Sequence, residues 1–493
     1  MIAEHLPALP ILLYLFVALL MPLASKLGRD LPWTLAWLTS LIVAALGAYG
    51  LWLTSSTGAI HYSMGNWAPP VGIELVADPL SCFFTFAIGA VSAFVLLHSR
   101  ESVVRDCGAG NTMTYYASSL LLLAGFSGIV GTGDLFNLYV FLEISALAGY
   151  AVLGCGSAKA ALSSFRYLII GTIGASFYLI GIGLLLAKTG SLNMVDVAAI
   201  LQEQGLGPAT TLAVVFIFTG LGIKMALLPL HYWLPDVYTN APATSTALVA
   251  PLGTKVAAYA VLRLGYEVLP YEALLADLRI FDIVLALGAV GIIWGSIMAI
   301  AQDNIKRMLA YSSVAQIGYI AVGFGLATPN GYIGAVLHVI NHAVMKACLF
   351  LVTANLERQG EGTSIKGFNA ALRRKMPLTC ACFALAAISM IGLPPTAGFF
   401  SKWYLLLGSY EQGSWILVVV IIVSSLLNAV YFFRVLERLY LGKDEGEEKA
   451  PKGARLPFAM GLSTLVLALS LLVLGFGNVF IVSKFISPML PGF

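Results

Sequence analysis

Runs of about 20 apolar residues recur along the whole chain, each closed by a short polar stretch rich in Lys, Arg, Asp, Glu, Gly or Pro. A run of that length crosses the hydrocarbon core of a bilayer as an α-helix. Spans are expected near residues 6–24, 33–54, 78–98, 112–131, 134–154, 162–187, 209–229, 242–266, 280–301, 306–327, 331–356, 377–408, 414–437 and 457–483. The runs are too long for barrel strands and lack their alternation, so the predicted class is all-α, a polytopic membrane protein of about 14 transmembrane helices. The first run follows Glu4 and His5 rather than a basic segment, and no small-residue cleavage site follows it, so it is expected to remain as a first span.

Composition agrees with the pattern. The chain of 493 residues is 59% hydrophobic and 10% charged, with a mean hydropathy of +0.90, which excludes a water-soluble domain. Its net charge of +3 comes from loop Lys and Arg, so lipid is the expected surrounding and nucleic acid is not an expected partner. With the N-terminus outside, 19 Lys and Arg fall in inside loops and four in outside loops (Lys188, Arg263, Arg279 and Lys484). By the positive-inside rule, both termini are expected on the outer, periplasmic side of a cell inner membrane. The six cysteines are scattered and read as small membrane-embedded residues; Cys380-Ala-Cys382 has the wrong spacing for a zinc or thioredoxin site.

Four of the 27 basic residues, Lys224, Lys255, Lys346 and Lys402, lie inside apolar spans, and Glu143 is the one mid-span acid. Each costs at least about 2.5–3.5 kcal/mol to insert, so together they mark a route. Two of these lysines sit beside prolines expected to break their helices: Lys224 near Pro229, and Lys402 near Pro394 and Pro395. Lys255 lies one turn after Pro251, where a third disruption is expected. The Lys224 and Lys402 spans lie five helices apart, a pattern expected of inverted five-helix repeats. The organisation expected is residues 1–111 as three N-terminal helices, 112–268 and 279–440 as the two repeats, and 441–493 as a cytoplasmic loop with a C-terminal helix.

A proline removes the bond to the carbonyl four residues earlier, so Pro229 should free that of Met225, and Pro394 and Pro395 those of Met390 and Ile391. Free carbonyls at membrane depth need water or an ammonium group. Burial makes a lysine shed its proton and a nearby carboxylate restores the charge, so Glu143 is paired with Lys224 as a proton switch. His338, His342 and Lys346 recur every four residues on one face of the eleventh span. They can be interior histidines held by hydrogen bonds or a proton relay; zinc is disfavoured because no third ligand follows and the next residue on the stripe is a lysine. Ser312, Ser313 and Gln316 can extend a relay or serve as helix contacts. GTGD at 131–134 and Gly171 to Gly174 read as helix contacts rather than phosphate loops, since no strand precedes them. No nucleophile triad, flavin fingerprint or haem motif is present in the sequence, and neither cofactor nor metal is expected. KDEGEEKAPKGAR at 443–455 reads as a solvated inside loop.

LPLHYWLPDVYTNAP, GTKVAAYAVLR, NIKRMLAYSSVAQIGYI, HVINHAVMKACLFL and GLPPTAGFFSKW together resemble the antiporter-like subunits shared by respiratory complex I, membrane-bound hydrogenases and multisubunit Mrp cation/proton antiporters. The resemblance covers nearly the whole chain and implies fourteen helices with two inverted five-helix repeats. It implies proton-transfer roles for Glu143, Lys224, Lys255, His338, His342 and Lys402. MGNWAPPVGIELVADPLS and DLFNLYVFLEIS are more similar to the D-type component of Mrp antiporters; complex I members often carry histidine where this chain has Tyr238, and one of their subunits has glutamate in place of Lys402. The function implied is a proton-translocating subunit of a sodium or other monovalent cation/proton antiporter, with other membrane subunits as partners. The alternatives are a proton-pumping subunit of complex I or a hydrogenase, with redox centres in other subunits, and a scaffold whose lysines dock partner helices.

Overall fold

The computed structural model describes residues 3–205, 207–442 and 456–490, so the 443–455 loop, with four of the inside basic residues, lies outside the described residues. Thirteen described helices are long and apolar enough to span a bilayer. In order they are α1 (Leu9–Leu27), α2 (Leu31–Thr57), α3 (Pro79–Cys107), α4 (Thr112–Gly131), α5 (Leu135–Leu153), α6 (Ala158–Thr189) and, after the short α7 (Met194–Gln204), α8 (Pro208–Met225). The short α9 (Trp233–Asn240) precedes α10 (Ala243–Arg263), α11 (Ile280–Ile300), α12 (Ile305–Gly325) and α13 (Pro329–Arg358). After the short α14 (Ala370–Lys375), the expected twelfth span is divided into α15 (Pro377–Ile391) and α16 (Ala397–Glu411). The chain then forms α17 (Trp415–Tyr440) and α18 (Phe458–Phe476). This is a multi-pass membrane protein of the all-α class expected.

Burial separates the helices into two kinds. The most apolar 18-residue windows of α10, α12 and α13 are 89%, 94% and 100% buried, whereas those of α1, α2, α6, α11 and α17 are only 33–39% buried. The outer helices therefore turn their apolar faces to lipid, and the polar residues of the three central helices are shielded from it. Close approach of backbones replaces a hydrophobic drive between helices. A Cβ on Gly220 of α8 would lie 2.5 Å from the Gly174 carbonyl oxygen of α6, and one on Gly171 would meet the Tyr150 hydroxyl.

One backbone device occurs twice. At the start of α5, Leu135 N–H donates to the Leu192 carbonyl and Met194 N–H to that of Gly133, both at 2.9 Å. At the start of α12, Ile305 N–H donates to Thr363 at 2.9 Å and Ile365 N–H to Asp303 at 2.7 Å. Each helix start is capped by a side chain, Asp134 in the first case and Asn304 in the second. Five spans, α5, α6, α8 with α9, α10 and α11, separate the two devices, so they lie at opposite ends of the bundle. GTGD at 131–134 is thus the turn that makes the first device, not a helix contact.

Two other expectations change. Pro251 does not break its helix: α10 runs unbroken from Ala243 to Arg263 with Pro251 inside it. Only one intrahelical bond is lost there, and tertiary burial holds the helix together. The cysteines are not all separate either: Cys107, ending α3, is disulfide-bonded to Cys155, just after α5. Their 48-residue separation hid a pairing made by two helix ends meeting on one face. Cys82, Cys348, Cys380 and Cys382 are free and buried.

Candidate functional site: a buried line of lysines and histidines

Both interrupted spans end their first half on a left-handed residue. Ala226 has φ 61° and Gly392 has φ 91°, each directly after the last helical residue, and a cis X-Pro bond follows at Leu228-Pro229 and Pro394-Pro395. The interruption therefore begins three and two residues before the respective prolines, at a left-handed helix cap. At the first break the Trp233 indole N–H donates to the Ile223 carbonyl at 2.9 Å, beside Lys224. At the second, the Lys402 ammonium donates to the carbonyls of Met390 (3.0 Å) and Ile391 (2.9 Å) and to Ser425 Oγ (3.3 Å). A Cβ on Gly392 would come within 3.0 Å of Lys402 Cδ, so glycine meets both the φ and the space required there.

Lys224 Nζ lies 3.2 Å from Glu143 Oε1, an ion pair between α8 and α5. The lysine is buried, while the Glu143 side chain keeps 24% of its exposure. On its other side Lys224 helps to line a cavity of about 30 Å³ with Ser145, Tyr167, Val249 and Gly253, which leads from α5 towards α10. That volume admits a water with polar partners at hand.

Lys255 on α10 is buried and donates to the Ala250 carbonyl at 2.7 Å, in the turn before it. His342 on α13 is fully buried, and neither ring nitrogen has a hydrogen-bond partner in the protein. Lys255 and Lys346 act on it electrostatically, and its ring stacks at 6.0 Å on His338. His338 bonds Ser401 of α16 through Nδ1 and Gln316 of α12 through Nε2, both at 2.9 Å. Lys346 donates to the Leu309 carbonyl (2.6 Å) and to Ser312 Oγ. Gln316 and Ser312 therefore join the polar line, whereas Ser313 bonds back to its own helix at Leu309.

The structure thus sets Glu143, Lys224, Lys255, His342, His338 and Lys402 along the buried centre, with Lys346 branching to α12. Chemically the line holds groups that accept and release protons, separated by hydroxyls, an amide and orphaned polar atoms. A buried polar atom without a partner costs about 1–3 kcal/mol, so such atoms at His342 signal a place where water or a moving proton completes the bonding. Among the described residues, no group of three His, Cys, Asp or Glu is placed to hold a metal.

Several groups escaped the sequence reading. Asn428 of α17 accepts from Ser296 and from the Tyr431 hydroxyl, and Lys402 lies 4.8 Å from the centre of the Tyr319 ring. The i, i+3, i+4 spacing of Ser424, Ser425, Asn428 and Tyr431 within an apolar run was the available signal. His98 of α3, fully buried, bonds Asn355 of α13 at 3.0 Å. Lys306, placed among loop residues by the sequence reading, is buried and pairs with Glu357 at 3.1 Å.

Comparisons with known proteins show the family and the fold. A family model described as NADH:quinone oxidoreductase/Mrp antiporter, TM matches residues 132–428, which include the whole buried line. The chain is 46% identical over 505 residues to the N-type component of the NADH-quinone oxidoreductase of Desulforudis audaxviator, across 99% of both chains. It is 30% identical over 392 residues to the D-type component of the Na(+)/H(+) antiporter of Bacillus subtilis, covering 79% of this chain and 77% of that one. A chain in the structure of the Mrp complex from a Dietzia species superposes with a TM-score of 0.88 at 23% identity, over 99% of this chain and 97% of that one.

Proposed function

Because the chain belongs to the NADH:quinone oxidoreductase/Mrp antiporter transmembrane family, we propose that it is the proton-translocating membrane subunit of a multisubunit complex, moving protons along the Glu143 to Lys402 line. The observation that carries this reading is that the lysines of α8, α10 and α16, the two histidines of α13 and Glu143 of α5, paired with the first of those lysines, are gathered inside the bundle rather than on its lipid face. Scattered lysines serving only to dock helices would have no reason to share one axis. Protons enter at the first break, pass Lys224 under the control of Glu143, move through Lys255 and the His342 and His338 face, and leave at Lys402. Each added proton raises the cost of keeping one on the next group, which supplies the push along the line. Residues 112–268 and 279–440 act as the two inverted halves of the device, with both termini on the outer side of the cell membrane.

Two assemblies suit this work. A monovalent cation/proton antiporter with sodium as the exchanged ion is favoured by the Na(+)/H(+) antiporter relative. A redox-driven complex, in which quinone chemistry in other subunits drives the same line, is favoured by the 46% identity over the full chain to the oxidoreductase relative. Purified whole complex in vesicles separates them. Proton flux driven by a sodium gradient supports the first, flux driven by a quinone and its electron donor supports the second, and flux under neither drive would remove proton translocation itself.

A further inference from the structure

Beyond the line from Glu143 to Lys402, three polar contacts join α12 to α13. Gln316 meets His338 at 2.9 Å, Ser312 meets the Lys346 ammonium, and Lys306 meets Glu357 at 3.1 Å. Taken in that order they run from mid-membrane to the start of α12 and the end of α13. Glu357 lies eleven residues beyond Lys346, three helical turns, so it continues the His338, His342, Lys346 face. Thr353 lies on the same face between them. The gap of about 16 Å also borders Tyr238 of α9, whose hydroxyl is fully buried without a protein partner and whose ring lies 6.1 Å from that of Phe350.

The end of this ladder is built differently from an ordinary surface pair. Lys306 is buried and donates to the Ala241 carbonyl, between α9 and α10, at 2.6 Å, so it ties the first break's second half to α12. Glu357 keeps 24% of its side-chain exposure, enough to meet solvent. An exposed pair contributes little to stability and needs no buried partner. A buried ammonium facing a partly exposed carboxylate at the mouth of a polar seam is instead a place to hand protons between water and the interior. The surrounding charges, Asp303 with Lys366, Arg307 with Asp236, Arg358 with Glu101 and Lys375 with Glu361, are already paired with one another.

We propose that the α12–α13 seam is a side branch of the line, a second inlet beside that at the first break, which joins it at Lys346 and opens on the basic, cytoplasmic end of the bundle, with Glu357 as its outermost proton-exchanging group and Lys306 as the residue that positions it; this rests on the proton-translocation reading above. A proton taken up by the Glu357 carboxylate neutralises it and releases the Lys306 ammonium from the pair, leaving Lys306 bonded to Ala241. The proton then passes inward to an unprotonated Lys346 amine, which leaves Glu357 once more a carboxylate paired with Lys306 and able to take up the next proton from the cytoplasm.

The test uses the whole complex in vesicles with the cytoplasmic face outward. Glu357→Gln is expected to slow proton flux about tenfold, the equivalent of 1.36 kcal/mol on the barrier, with Glu357→Asp retaining most of it. Glu357→Cys should be slow, and a membrane-impermeant methanethiosulfonate should restore flux when it carries a carboxylate and not when it carries a sulfonate, which supplies the charge but takes up no proton. Wild-type flux in Glu357→Gln, with Lys402→Ala silent, would place the mouth elsewhere and leave translocation standing. Slow flux that neither aspartate nor the carboxylate reagent rescues, or that the sulfonate rescues equally well, would make the pair structural and overturn the proposal. Normal flux in both Glu357→Gln and Lys402→Ala would overturn the reading beneath it.

Discussion

Lys402→Ala is expected to cut proton flux through the assembled complex to about a tenth of wild type or below, a barrier increase of at least 1.36 kcal/mol. The ammonium does two things at the second break. It satisfies the carbonyls of Met390 and Ile391, and on the proposed route it is the last proton-bearing group before the outlet. Removing it leaves the Ile391 carbonyl without Lys402 and Met390 with only the 3.4 Å bond from Asn428, and an unmet buried group costs about 1–3 kcal/mol, so loss of flux alone would not separate structure from transport. Lys402→Arg separates them. Guanidinium can donate to the same carbonyls but does not give up its proton in a protein. The arginine variant should therefore assemble with near wild-type thermal stability and still fail to move protons, as read by dye-quench flux and by unfolding of the purified complex. Arginine that supports wild-type flux would mean that Lys402 holds the break open and carries no proton.

Glu143→Gln is the second large effect expected, again a drop of about tenfold or more in flux. The amide preserves shape and one acceptor but removes the charge that faces Lys224 at 3.2 Å. Removing one member of a buried pair typically costs about 3–5 kcal/mol, because the partner is left as an uncompensated charge. Lys224 avoids that cost by standing neutral, and a lysine held neutral no longer cycles. If the two residues act as one switch, Glu143→Gln with Lys224→Met should be no slower than either variant alone. Independent, multiplying losses would show that they serve separate steps.

The membrane fold was legible because the bilayer imposes a length on every apolar run, and the runs near 135–153 and 305–325 kept that length to within a few residues. The pairing of Lys224 with Glu143 was legible for a similar reason: only one carboxylate was available at that depth. The Lys402 contacts followed from the rule that a proline frees the carbonyl four residues back, which singles out Met390 and Ile391. The same rule misled at Pro251, where burial on every side keeps α10 continuous. It also misplaced the end of the seventh span, because the left-handed Ala226 stops α8 early and α9 then carries the chain on to Asn240.

What remained hidden depends on neighbours far away in the chain. Lys306 reads as a loop lysine until Glu357, 51 residues later, and the Ala241 carbonyl are brought against it. His98 sits near the end of its expected span and gains a meaning only when Asn355 reaches it across 257 residues. The polar patch of Ser296, Ser424 and Asn428 draws on two helices that are mostly lipid-facing, so each alone resembles a membrane anchor with an incidental hydroxyl.

The central claim is that the two broken helices form one route joined through α13, and His342 is where that claim is most exposed. Its nitrogens are fully buried with no protein partner, so His342→Leu removes little from the packing and no hydrogen bond to the rest of the protein. Proton flux through the purified whole complex carrying His342→Leu, measured beside its assembly and thermal stability, is the most direct test. The expected result is an intact, stable complex with flux reduced about tenfold or more; wild-type flux would contradict the account, since protons would then cross between the two breaks without passing His342.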